Sequence, residues 1–206
     1  MRKFALTMAQ VLALTILPFS FVHSAPYAEY RNDAKFVQSS FDKAVNYLRV
    51  GYKFKNNMYL EVGPRSHGSS AEVGYKFKLS DVWGIKGKWE AGDTGALDHK
   101  LETEVRAQLV AVPGAYFEYK NVASYTNSNL KGKDDHFRLG FKFKSNVYVE
   151  AGPRNGGSSA ELGYKYALSD RWTLKGKWEG SDTSKFKHKL ETELRVTFLG
   201  LHVLCR

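Results

Sequence analysis

The sequence states one pattern twice. DHKLETEVR at 98–106 returns as KHKLETELR at 187–195, and YLEVGPR at 59–65 returns as YVEAGPR at 148–154. His99 and His188 fix the offset at 89 residues, which holds without a gap for 48–106 against 137–195. The same offset pairs YAEYRN at 27–32 with YFEYKN at 116–121. Beyond residue 24 the chain therefore reads as a tandem duplication, with repeat one at about 27–115 and repeat two at about 116–204.

Each repeat reads as six strands, because apolar residues recur at every second position rather than every third and fourth. Repeat one predicts strands at roughly 26–32, 45–55, 58–65, 70–78, 82–91 and 99–109. Repeat two predicts roughly 115–121, 136–144, 147–154, 159–167, 171–179 and 188–198. Six strands return the chain to the side where it began, so a second copy continues in phase. Six alone leave two open edges, a liability in water and untenable in lipid. Twelve close on themselves. The expected fold is all-β: a twelve-stranded antiparallel transmembrane β-barrel built from two tandem six-strand repeats.

Connections fall into two classes. Asn56-Asn57, Leu79-Ser80-Asp81 and a stretch ending in Pro113-Gly114 predict short turns on one side. The polar stretches 33–44, 92–98 and 122–135 predict long loops on the other, the plan of an outer-membrane barrel.

RVGYKFK at 49–55 and RLGFKFK at 138–144 show the two faces of a strand. In phase with Val50 lie Leu48, Tyr52, Phe54, Val62, Val73, Phe77, Trp83, Trp89, Leu101 and Val105, with matching residues in repeat two. Opposite lie Arg49, Lys53, Arg65, Lys76, Lys86, Lys88 and Arg106, and their mates Arg138, Lys142, Arg154, Lys165, Lys175, Lys177 and Arg195. Glu72, Glu90, Glu102 and Glu104 share that face. A soluble exported barrel that binds a ligand would turn the apolar face inward, but a closed interior tapers and mixes small with large residues. This face is uniformly bulky, and the strands approach the ~9–11 residues that cross a bilayer. A lysine facing lipid costs ~2–4 kcal/mol at the midplane, so the charges are expected to line the lumen.

Residues 1–24 read as a secretory signal peptide: Arg2 and Lys3, an apolar stretch to Val22, and Val22 and Ser24 ahead of a cut at Ala25. Residues 25–206 then form a single β-barrel domain, whose last amphipathic strand ends on Phe198, with 199–206 extending past it. The mean hydropathy of −0.43 and the lack of another long apolar run exclude helical spans. Cys205 is the single cysteine, so no internal disulfide is available. A net charge of +10 invites a nucleic-acid reading. The export signal and the alternation of each base with a lipid-facing aromatic oppose it. No Cys/His cluster suggests a metal and no cofactor is expected. His67 beside Ser69, and His136 beside Asp134 and Asp135, form no defensible nucleophile–base–orienter set, so no enzyme is expected. His99 and His188, at the starts of strands 6 and 12, read as interface-level polar residues.

SAEVGYKFKLSDVWGIKGKWE at 70–90, SAELGYKYALSDRWTLKGKWE at 159–179, the HKLETE strands, the size and the strand count resemble the oligogalacturonate-specific porin family. This KdgM-like family of outer-membrane β-barrels includes a sialic-acid channel. The resemblance implies a monomeric, narrow, anion-selective channel for acidic oligosaccharides in the outer membrane of a Gram-negative bacterium, in contact with its lipid.

The residues themselves support part of that expectation. Rings of Lys and Arg in a pore select anions, and low-dielectric walls focus their field on a passing carboxylate. Lys86 with Lys88, and Lys175 with Lys177, stack two ammonium groups along one wall. Arg49, Arg65, Arg106, Arg138, Arg154 and Arg195 suit bidentate carboxylate binding. Cross-strand pairing with Glu72, Glu102 and Glu104 absorbs part of these bases, and the surplus is the expected functional part. A lumen packed shut by such pairs would instead make a structural or adhesive barrel.

Overall fold

A computed structural model describes residues 25–93, 96–182 and 185–198, so the expected signal peptide and the tail 199–206 lie outside the described residues. Twelve strands follow in order: β1 (Ala25–Val37), β2 (Ser40–Lys53), β3 (Tyr59–Arg65), β4 (Gly68–Lys78), β5 (Trp83–Asp93), β6 (Leu97–Gln108), β7 (Ala115–Thr126), β8 (Asn129–Lys142), β9 (Val147–Arg154), β10 (Gly157–Ala167), β11 (Trp172–Ser181) and β12 (Lys187–Thr197). Each pairs antiparallel with its neighbours in sequence, and β1 pairs with β12 from Tyr27↔Thr197 to Val37↔Lys187. The sheet is a closed barrel with no free edge.

The long loops expected at 33–44 and 122–135 are instead strand. β1 and β2 continue to a two-residue turn at Gln38 and Ser39 (φ 51° and 67°), and β7 and β8 to Asn127 and Ser128 (φ 48° and 68°). Paired positive φ values match the right-handed twist of the flanking strands. The sequence signal failed there because outward positions also become polar: Asn32 Nδ2 donates to Asn46 Oδ1 at 2.7 Å. The ladder runs on after the hydrophobic alternation has stopped, so these hairpins extend beyond the apolar belt. Of the stretch 92–98, residues 92–93 end β5 and residues 97–98 begin β6, while 94–95 lie outside the described residues.

The apolar face points outward. Leu48, Val50, Phe137 and Leu139 are more than half exposed, whereas the alternating Arg49 and Arg138 are 1% and 2% exposed. That pattern excludes the soluble assignment, in which bulky apolar residues fill the centre. Aromatic pairs mark both rims of the belt. Tyr52–Phe54 and Phe141–Phe143 lie near the termini, and His188 stacked on Phe36 and His99 on Tyr125 lie toward the hairpin tips.

Register is pinned from inside. Tyr27, Tyr59, Tyr116 and Tyr148 stand opposite Gly51, Gly74, Gly140 and Gly163, and each ring fills the space a Cβ would need. This is aromatic rescue of glycine, and it aims four phenol hydroxyls into the lumen.

Candidate functional site: a charged lumen with a closed waist

Three layers of lumen side chains stack along the barrel axis. At the mouth nearest the chain termini stand Lys53, Lys76, Lys86, Lys142, Lys165 and Lys175. Lys86 pairs with Glu104 and Lys175 with Glu193. Among the described residues Lys53, Lys76, Lys142 and Lys165 are exposed and make no ion pair.

The middle layer is a waist of matched clusters. Arg49 Nη1 donates to Glu72 (2.9 Å) and Glu61 (3.2 Å), and Nη2 donates to Glu90 (3.2 Å). Arg138, 89 residues later, lies 2.9, 3.2 and 3.4 Å from Glu161, Glu150 and Glu179. Tyr27 and Tyr116 donate to Glu61 and Glu150 at 2.6 and 2.5 Å, and Tyr59 and Tyr148 to Glu72 and Glu161 at 2.7 and 2.6 Å. The seam that closes the barrel carries the same bonds as the junction between repeats. Arg195 pairs with Glu29 and Glu61 and covers the Tyr27 ring at 4.1 Å, while Arg106 pairs with Glu118 and Glu150 and covers Tyr116 at 4.0 Å.

Burying this many charges is costly unless each finds partners, because desolvation is repaid only by close, well-aligned pairing. Arg31 and Lys88 supply the balance for Glu72 and Glu90 at 3.4–3.9 Å. Glu61, Glu72, Glu150 and Glu161 are all under 8% exposed. The waist is thus packed rather than open.

Above the waist a vestibule of about 800 Å³ extends to the hairpin tips. Its floor is formed by Lys88, Glu90, Glu102, Lys177, Glu179 and Glu191; Glu90 and Glu179 are the upper edge of the waist clusters, whereas Arg49, Arg138, Glu61, Glu72, Glu150 and Glu161 do not line it. Twelve Lys and Arg face eight Asp and Glu in its wall, so the vestibule is basic.

The structure therefore distributes the residues singled out by sequence over all three layers. Lys53, Lys76, Lys86, Lys142, Lys165 and Lys175 are at the mouth; Arg49, Arg106, Arg138 and Arg195 are in the waist; Arg65, Lys88, Arg154 and Lys177 line the vestibule. The Lys-X-Lys pairs straddle the waist. The waist arginines hold the chain's own carboxylates, so these guanidinium groups are not free for a ligand. Glu29, Glu61, Glu118 and Glu150 escaped the sequence reading although they sit in the repeated YAEY/YFEY and YLEV/YVEA motifs; the repeat offset was the signal that pairs them.

His136 lies 3.4 Å from Asp134 and 3.5 Å from Ser159. Arg138 donates to its Nδ1 at 3.1 Å, the nitrogen a general base would use on Ser159, and Asp134 is held by Arg154. The trio is part of the lumen's pairing network.

A closed antiparallel barrel with an apolar outer belt and a charged lumen defines the transmembrane β-barrel class. In fold the chain is KdgM-like. The KdgM porin in complex with disordered oligogalacturonate superposes with a TM-score of 0.59 at 11% identity, over 84% of this chain and 99% of that one. A second KdgM porin structure gives 0.56 at 12% identity over the same shares. No protein-family model and no curated protein matches the sequence.

Proposed function

We propose that this protein is an outer-membrane channel of a Gram-negative bacterium, exported by residues 1–24 with cleavage near Ser24/Ala25, and that it passes anions, acidic oligosaccharides among them, by passive diffusion. It works as a monomer embedded in outer-membrane lipid. The observation that carries the reading is the imbalance at the two ends of the lumen. Most of the buried acids among the described residues are consumed at the waist, while Lys53, Lys76, Lys142 and Lys165 at one mouth and a basic vestibule at the other are left to meet a solute. The fold shared with the KdgM porin supports the same class of transport. A focused positive potential at both mouths raises local anion concentration and repels cations.

One observation favours a second reading. The packed waist suits a structural barrel that conducts nothing. Planar-bilayer recording separates the two. Across a KCl gradient the wild-type barrel is expected to pass a small current whose reversal potential reports preference for chloride. Replacing Lys53, Lys76, Lys142 and Lys165 with glutamate is expected to shift that potential toward the cation side. Silence from a folded, inserted barrel selects the structural reading, and cation preference in the wild type refutes anion transport.

A further inference from the structure

The Arg49 and Arg138 clusters match residue for residue at the waist, but the lumen immediately above them does not. In repeat one Asp33 stands opposite Val45; in repeat two the order is inverted, with Val122 opposite Asp134. The acid consequently neutralises different partners. Asp33 lies 3.4 Å from Arg31 Nε and 3.7 Å from Lys189 Nζ. Asp134 pairs with Arg154. Arg65, the mate of Arg154, makes no ion pair among the described residues, and its Nε is buried without a hydrogen-bond partner.

Arg65 is nonetheless held in place. Its guanidinium carbon is 5.6 Å from the centroid of the Tyr47 ring, which also carries Arg31 at 4.1 Å and Arg49 at 4.5 Å. Stacking on an aromatic face orients the planar fork without consuming its donors. Higher on the same wall, Lys35 and Lys43 are direct cross-strand partners and both line the vestibule, with no ion pair among the described residues. Like charges placed opposite each other destabilise a sheet. Their repeat-two mates, Ser124 and Gly132, carry no charge.

We propose that Arg65, with Lys35 and Lys43 above it, forms a docking site for a polycarboxylate on the repeat-one wall of the vestibule alone. Arg65 takes one carboxylate through two parallel N–H bonds, and the lysine pair takes the next along the chain. The repeat-two wall is silenced by Asp134. The ligand class rests on the channel reading above, but the site is a binding site whether or not the barrel conducts.

Isothermal titration of trigalacturonate into the full-length barrel in detergent micelles tests it, with heat-modifiable gel migration as the check that each variant is folded. Arg65→Gln is expected to weaken binding about tenfold, the loss of a charge-assisted pair. Arg154→Gln is expected to change it by less than about twofold, since that group is already neutralised. Val45→Asp, which plants the repeat-two acid on the repeat-one wall, is expected to reproduce the Arg65→Gln loss with Arg65 still present. Equal effects of Arg65→Gln and Arg154→Gln, no effect of Val45→Asp, or no binding of trigalacturonate by the wild type would overturn the proposal. So would equal binding of neutral maltotriose, or full competition by orthophosphate at matched concentration. Trigalacturonate binding with this mutational pattern by a barrel that passes no current would remove the channel reading and leave the site standing.

Discussion

Arg49→Ala is expected to lower the stability of the barrel by about 3–5 kcal/mol, the loss measured when one partner of a buried ion pair is removed. The magnitude follows from what the arginine leaves behind. Glu61, Glu72 and Glu90 converge on a guanidinium whose side chain is fully buried, and without it three carboxylates lose their shared close partner, two of them, Glu61 and Glu72, almost fully buried. Reversible urea unfolding in lipid vesicles reads the change directly. Arg138→Ala is expected to cost a similar amount, because Glu150, Glu161 and Glu179 stand in the same relation to it. Removing acid and base together has a different outcome. Serine at Arg49, Glu72, Arg138 and Glu161 deletes the bulk of both clusters while leaving less uncompensated charge. Single-channel conductance is then expected to rise several-fold as the waist widens. An unchanged conductance would show that the waist is not the resistance in the conduction path.

Leu139→Lys is expected to destabilise the folded, inserted barrel by ~2–4 kcal/mol. Leu139 is 53% exposed on the outer surface, between Phe137 and Phe141 on β8, where the apolar belt is continuous. A lysine there meets acyl chains, whereas Arg138, one position earlier, meets three glutamates. The contrast is the period-two rule expressed as energy. Vesicle-based unfolding of Leu139→Lys beside Leu139→Ala separates the charge penalty from the loss of apolar surface. If lysine costs no more than alanine, the outer face does not contact hydrocarbon.

Most of the fold was legible because two independent periods coincide. Alternation set the faces of each strand, and the 89-residue offset showed that strands come in sixes, which a sheet must double to close. The hairpin tips were not legible. From Asn32 to Asn46 polar and apolar residues are mixed on both faces and the clean alternation is lost, so a strand standing clear of the membrane looks like a loop until its cross-strand bonds are seen.

The waist was hidden for a different reason. Arg49 on β2 reaches Glu90 on β5, past two intervening strands, and Arg31 on β1 reaches the same carboxylate. Such contacts depend on the curvature of the closed sheet, which alternation does not encode. Counting bases against acids along individual strands therefore overstated the arginines free to meet a solute. The asymmetry at Arg65 was closer to the surface of the sequence. It follows from a Val45/Asp134 difference between the two repeats, which gains meaning only once Asp33 and Val122 are known to stand across from those positions.

The claim beneath all of this is that bulky apolar side chains face lipid while charged ones enclose water. Tryptophan fluorescence tests it most directly, because the chain's four tryptophans, Trp83, Trp89, Trp172 and Trp178, all lie on the outward phase of their strands. In vesicles containing brominated acyl chains their emission is expected to be strongly quenched, with little further loss on adding aqueous iodide. Emission indifferent to brominated lipid but quenched by iodide would place the rings away from the bilayer and contradict the account.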